Sequence, residues 1–297
     1  MQKKSKKAIK NDQMVSAYHY GDTVEMSTSL GSQPIMRKVN KDMMVNRVTG
    51  EIKDVEHVTN RADPKNYQSL RSTFKKLKRL IGANFAGGPS ELWITLTYRD
   101  SPMTDSKRLY SDFKRLMRRL RRITAKDLAY IVVIEPQASG SLHAHLLLKT
   151  LDKSRLYVAN KDLAEAWGQG FVNVRRLSDA DNVSAYVMAY LTDVDLNNLD
   201  GDLNHKDKNK KIIKGGRLSL YPIGMQIYRR SRNGIVPPTR IIATKQDVKD
   251  DFDLDDDSHY YRAFDIKNGD TSYKIETEYY SISKSKIKKA LKKINKK

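Results

Sequence analysis

The stretch Leu142-His143-Ala144-His145-Leu146-Leu147-Leu148 decides the fold. Apolar residues alternate with imidazoles over its first half, which is the period of a β-strand, where residues i and i+2 share a face. Leu142, Ala144 and Leu146 then point into a core, while His143 and His145 stand side by side on the other face. The β-branched run at 130–135 reads as a second strand. Pro136-Gln137-Ala138-Ser139-Gly140-Ser141 between the two reads as a hairpin loop. If residues 137–141 form that loop, Glu135 lies opposite His143 on the same face. A different register would bring Gln137 there instead. Two imidazoles and a carboxylate on rigid strands suit one divalent cation, Mg2+ or Mn2+. Two ordinary histidines on a partly exposed strand would leave the same pattern.

Outward from this pair, residues 91–98 (Glu-Leu-Trp-Ile-Thr-Leu-Thr-Tyr) are β-branched and aromatic and read as a strand. Residues 104–125 form the clearest helix: Leu109, Phe113, Leu116, Leu120 and Ile123 line one face, and Lys and Arg crowd the rest. Leu70, Phe74, Leu77 and Ile81 predict a helix from Pro64 to about residue 80. Shorter helices are expected at 160–168 and 181–194, and strands at 171–175 and 217–221. Residues 228–234 read as a basic turn, 247–257 as an acidic linker with seven Asp, and 284–297 as a Lys-rich tail. The expected fold is α+β: a central antiparallel sheet of about five strands, with the His-x-His strand central and helices packed on one face. The expected organisation is a basic arm and helical lead-in over 1–85, a catalytic domain over 86–240, and an acidic linker and tail over 241–297.

Composition narrows the chemistry. Among 297 residues, Lys and Arg number 56 and Asp and Glu 35, a net charge of +21 that favours a polyanionic partner. Cys is absent, which excludes disulfides, thiolate metal sites and Cys nucleophiles. No apolar run approaches the roughly 18 residues of a membrane helix. The basic first residues lack the apolar core of a signal peptide, so a cytoplasmic protein without a membrane partner is expected.

A second constellation is Tyr186-Val187-Met188-Ala189-Tyr190. Helical i, i+4 spacing puts both phenols on one face. A phenol can attack phosphorus if a metal polarises the phosphate and its proton is taken up. Packing on an amphipathic helix would also place two tyrosines this way. Arg115, Arg118, Arg119 and Arg122 on the basic helix, with Arg229, Arg230 and Arg232, are the candidate phosphate contacts.

In order, Thr95-Leu96-Thr97-Tyr98, Leu142-His143-Ala144-His145-Leu146-Leu147 and Ala185-Tyr186-Val187-Met188-Ala189-Tyr190-Leu191 resemble the three motifs of the HUH endonucleases, specifically the rolling-circle replication initiators of plasmids and phages. Residues 46–51, 135–137, 167–172 and 217–222 are further similar to initiators of Gram-positive bacterial elements. The resemblance covers roughly residues 40–240. It implies an HUH-type fold in a bacterial host cell. It also implies metal-dependent nicking and joining of single-stranded DNA at an origin, a 5′-phosphotyrosine adduct and a free 3′-hydroxyl. Glu135, His143 and His145 would hold the metal, and Tyr186 and Tyr190 would be the nucleophiles. Ala189 and Val194 stand where many such proteins carry a Lys, so positive charge at the phosphate must come from elsewhere. No G-x-x-x-x-G-K-[ST] loop occurs in the sequence, so a host helicase and polymerase are the expected partners. Two alternatives are a basic origin-binding repressor without catalysis and a relaxase or transposase of the same superfamily.

Overall fold

A computed structural model of the chain describes residues 8–31, 35–57, 67–99, 102–137, 139–177, 220–268 and 271–287. Its strands are β1 (Met14–Tyr20), β2 (Thr23–Ser27), β3 (Met36–Lys38), β4 (Met43–Asn46), β5 (Ile52–Asp54), β6 (Glu91–Leu96), β7 (Leu128–Pro136), β8 (Leu142–Thr150), β9 (Val172–Arg176), β10 (Tyr228–Arg230), β11 (Thr239–Thr244), β12 (Tyr260–Asn268) and β13 (Thr271–Ser281). The helices are α1 (Tyr67–Asn84), α2 (Ser106–Thr124), α3 (Asn160–Trp167) and α4 (Lys245–Asp251). The chain divides into two compact units, Val58–Pro237 and the two end segments Met1–His57 and Pro238–Lys297.

The 58–237 unit is the α+β fold expected. Its sheet has five antiparallel strands in the order β10-β7-β8-β6-β9, which makes the His-x-His strand the central one. Leu142, Ala144, Leu146 and Ile94 are buried on one face, as the alternation requires. The same face carries Tyr130, whose ring meets Phe113 of α2 edge-on at 5.0 Å. α2 forms because Asp105 caps it, accepting from the Lys107 and Arg108 amides. Its stripe of Leu109, Phe113, Leu116, Met117 and Leu120 then seals the face. α3 lies beside α2: Arg119 Nη1 donates to the Ala166 carbonyl at 2.8 Å, and Trp167 packs against Tyr98 at 5.1 Å. The end of α1 departs from the expected one-sided arrangement. Lys149, on the imidazole face, donates to the Asn84 carbonyl, and its neighbour Glu91 accepts from the Ala86 and Gly87 amides. α1 therefore closes the histidine face at the end of the sheet away from the imidazoles.

The end segments differ from the arm and tail that the sequence suggested. β1 pairs with β11 and β2 with β13, giving a second antiparallel sheet in the order β11-β1-β2-β13-β12, and β3-β4-β5 form a separate meander. Such long-range pairing leaves no local signature, so the expected boundaries at 85/86 and 240/241 do not match the two units. The acidic stretch at 247–257 is not a linker. It begins within α4, capped by Thr244, and buries Val248, Leu254 and Asp255. Lys245 of α4 pairs with Glu278 of β13 at 2.9 Å, and both are buried. Residues 228–230, read as part of a turn, form the edge strand β10. Leu220 and Tyr221 are not in a strand, and residues 217–219 and 181–194 lie outside the described residues. Among the described residues no helix is long and apolar enough to cross a membrane.

Candidate metal centre

The β7–β8 register sets Glu135 opposite His143 and Val133 opposite His145. The Gln137 amide donates to the Ser141 carbonyl at 2.8 Å, so the hairpin carries Gln137 past the imidazoles and leaves Glu135 as the third group. All three side chains are buried. His143 Nε2 lies 2.7 Å from His145 Nε2, and Glu135 Oε2 lies 3.7 and 3.5 Å from the same two nitrogens. Ligands bound at about 2.1 Å to one ion stand about 3 to 3.5 Å apart. The donor set therefore fits a single divalent cation, and it is the one such group among the described residues.

Two neighbours prepare His145. Thr95 Oγ1 sits 3.3 Å from His145 Nδ1, and the edge of the Trp93 ring system lies against the imidazole at 6.0 Å. With the proton on Nδ1 and directed to Thr95, the Nε2 lone pair points into the cluster. Burial brings the His145 imidazole down to about 4 from its usual value near 6.5, so it is neutral at pH 7, the form that ligates metal. Thr95 was legible only as part of a motif. Its partnership with His145 follows from the β6–β8 register, which pairs the two residues.

The candidate phosphate contacts divide. Arg115, Arg118, Arg119 and Arg122 project from α2, across the sheet from the imidazoles. Arg115 pairs with the buried Asp112, which also accepts from Tyr98 Oη at 2.9 Å. Arg118 and Arg122 are exposed. Arg229 stacks on Tyr110 of α2, its guanidinium carbon 3.3 Å from the ring centre, and Arg230 Nη1 donates to the Ile235 carbonyl. Arg229, Arg230 and Arg232 also line a cavity of about 1020 Å3 beside α1, which the metal cluster does not touch. Tyr186 and Tyr190 lie outside the described residues.

Residues 91–195 match the model of a family of replication-associated proteins, the ORF2 type. The matched stretch runs from β6 through the metal cluster and on past both tyrosines, about a third of the chain. No curated protein and no solved structure matches the chain. The match supports a replication-initiator role and, with it, DNA as the partner.

Proposed function

We propose that the protein initiates rolling-circle replication by nicking and rejoining single-stranded DNA at an origin. The observation that carries this reading is the buried Glu135–His143–His145 cluster, two imidazoles and a carboxylate 2.7 to 3.7 Å apart, inside a stretch that matches a replication-associated family. These three side chains hold Mg2+ or Mn2+. When bound, the cation supplies Lewis acidity toward a non-bridging phosphate oxygen.

The tyrosine does the bond-making. Tyr186 Oη forms a new O–P bond at the scissile phosphodiester, the P–O3′ bond breaks, and the phenol's proton is balanced by one taken up at the departing 3′-oxygen. The products are a 5′-phosphotyrosine and a 3′-hydroxyl that a polymerase extends. Because the phosphotyrosine conserves the ester bond, a later attack by a 3′-hydroxyl reverses the step and joins ends without ATP. Tyr190, one helical turn on by sequence spacing, is the alternating nucleophile or a neighbour that positions substrate. Strand separation falls to a host helicase, and the reaction takes place in the cytoplasm of a bacterial host.

The test is mass spectrometry of the covalent protein–DNA adduct formed on single-stranded oligonucleotides, with the linked peptide identified. Loss of the adduct in Tyr186→Phe but not Tyr190→Phe assigns one nucleophile, and loss only in the double variant assigns two. An adduct that survives the double variant places the nucleophile elsewhere. Wild-type protein that binds origin DNA yet never forms an adduct is a repressor-like binding protein, and the catalytic reading is then wrong.

A further inference from the structure

Phe171 is three-quarters exposed (75%), yet its backbone is among the most firmly held in the 58–237 unit. The Thr97 amide and the Thr97 hydroxyl both donate to its carbonyl, at 2.9 and 3.0 Å. Two residues along, the Arg99 amide donates to the Gln169 carbonyl at 2.9 Å. Trp167 Nε1 ties the Thr97 carbonyl from the other side at 2.8 Å. Gly170 is pressed so closely on this segment that an added Cβ would lie 2.4 Å from the Thr97 oxygen. A bulky apolar ring is thus fixed in water by a rigid frame, where core packing does not require it.

Its position on the sheet gives the ring a use. The β6–β9 register pairs Thr95 with Asn173 and Leu96 with Val172, and the Thr97–Phe171 hydrogen bond continues the same ladder. Thr95 in turn pairs with His145. His145, Thr95 and Asn173 therefore form one row across β8, β6 and β9, and strand spacing sets Asn173 about 10 Å from His145 at the backbone. By alternation Phe171, Asn173 and Arg175 share the imidazole face. Asn173 and Arg175 are exposed, whereas Val172 and Val174 on the opposite face are half-buried against the core. An aromatic ring, an amide and a guanidinium thus stand in a line on an edge strand beside the metal cluster.

We propose that Phe171 is a stacking platform for one base of single-stranded DNA next to the scissile phosphate, with Asn173 on a base edge and Arg175 on the backbone. The proposal rests on the nicking reading above and adds to it where the strand runs. A nucleic acid is favoured over an apolar protein partner by the surroundings. The ring's neighbours on its face are polar and cationic, and residues 58–237 hold 32 Lys and Arg against 17 Asp and Glu. Stacking on an aromatic face tolerates every base, and a guanidinium alongside supplies the phosphate contact.

The experiment measures binding of a fluorescein-labelled oligothymidylate by anisotropy, in EDTA, for Phe171→Ala, Phe171→Leu, Phe171→Tyr and Phe171→Trp. Phe171→Ala and Phe171→Leu are expected to weaken single-strand binding by about 5- to 150-fold, the range that stacking one base on an aromatic side chain spans. Phe171→Tyr and Phe171→Trp keep the affinity, and the Trp fluorescence is quenched on binding. Thermal midpoints stay level, because the ring is exposed. Full affinity in Phe171→Leu overturns the proposal, since an apolar contact would then suffice; so does full affinity in Phe171→Ala. Adduct formation by the wild type on a randomised single-stranded pool is scored separately. If the wild type forms the adduct and Phe171→Ala binds normally, only the platform is wrong. If no adduct forms while the affinities order as expected, the platform stands and the nicking chemistry fails.

Discussion

Replacing Gly170 by Ala probes the join between the sheet and the α3–β9 connection. The new Cβ would sit 2.4 Å from the Thr97 carbonyl oxygen, 2.5 Å from the Arg99 nitrogen and 2.7 Å from the Tyr98 carbonyl carbon. Ordinary van der Waals contact starts at 3.4 Å, so the two chains must separate by about 1 Å, and all three obstacles are backbone. Separation stretches the Thr97–Phe171 and Arg99–Gln169 hydrogen bonds, each worth about 1 kcal/mol net. Overpacking adds about 1 to 3 kcal/mol. The expected loss is therefore about 3 to 5 kcal/mol, read as a lower urea midpoint by circular dichroism. Gly140→Ala is the reference. Its backbone is left-handed (φ 82°) but nothing lies within 4 Å of a Cβ, so only a conformational penalty of about 1 to 2 kcal/mol applies. A Gly170→Ala variant no less stable than Gly140→Ala would refute the close-approach argument. The frame that holds Phe171 would then have to be reconsidered as well.

His143→Ala combined with His145→Ala removes two of three ligands, so the rise in thermal midpoint that Mn2+ gives the wild type is expected to vanish. A rise that persists would move the metal elsewhere, and retained cleavage would reject a catalytic ion at this place. Arg118→Ala with Arg122→Ala is expected to flatten the slope of log affinity against log salt for duplex DNA by about 0.9 per lost contact; an unchanged slope takes α2 out of the interface. Burial, and secondarily the Gly87 and Ala86 amides and Lys149, act on Glu91, and burial wins, raising its carboxyl above the ordinary value. The folded state thus holds that proton more tightly than the unfolded chain, a contribution present at acid pH and lost as pH rises through the raised value. Glu91→Gln should consequently gain stability relative to wild type as pH rises from about 4 toward 7, measured by urea unfolding at a series of pH values. A pH-independent difference between the two would contradict the assignment.

What could be read in advance followed the strength of local patterning. α2 was legible because its apolar stripe, its Asp105 cap and its basic surface agree, and β8 was legible because period-two alternation buries Leu142, Ala144 and Leu146. Glu135 could be placed only conditionally, since its pairing with His143 depends on hairpin register, which loop length alone leaves open between Glu135 and Gln137. The second sheet was not legible at all. Met14 finds Thr244, and Thr277 finds Ser27, across more than two hundred residues, and nothing in either short segment names its partner. The acidic stretch misled for a different reason. Seven Asp in eleven residues read as solvated, yet Val248 and Leu254 anchor it, and charge density outweighed two apolar positions. Phe171 gave no signal of its own, because an aromatic at the head of a strand reads as core until its exposure is known.

The basic surface and the metal cluster lie on opposite faces of one sheet, and this constrains any account of DNA binding. α2 carries eight Lys and Arg in 19 residues, and its single carboxylate, Asp112, is buried and engaged by Tyr98 and Arg115. Its outer face is therefore cationic throughout. Phe113 meets Tyr130 on the sheet face that Leu148 shares, while Glu135, His143 and His145 occupy the other. A packed sheet separates the two surfaces, so one phosphate cannot be held by Arg118 or Arg122 and presented to the cluster at the same time. If both surfaces serve DNA, they serve different segments of it. The segment at the cluster must be single-stranded enough to reach buried ligands, whereas the segment on α2 needs only phosphates and can remain duplex. The two contributions separate in one measurement, because the α2 arginines would govern the salt dependence of duplex binding, and the β9 face would govern the preference for single strands.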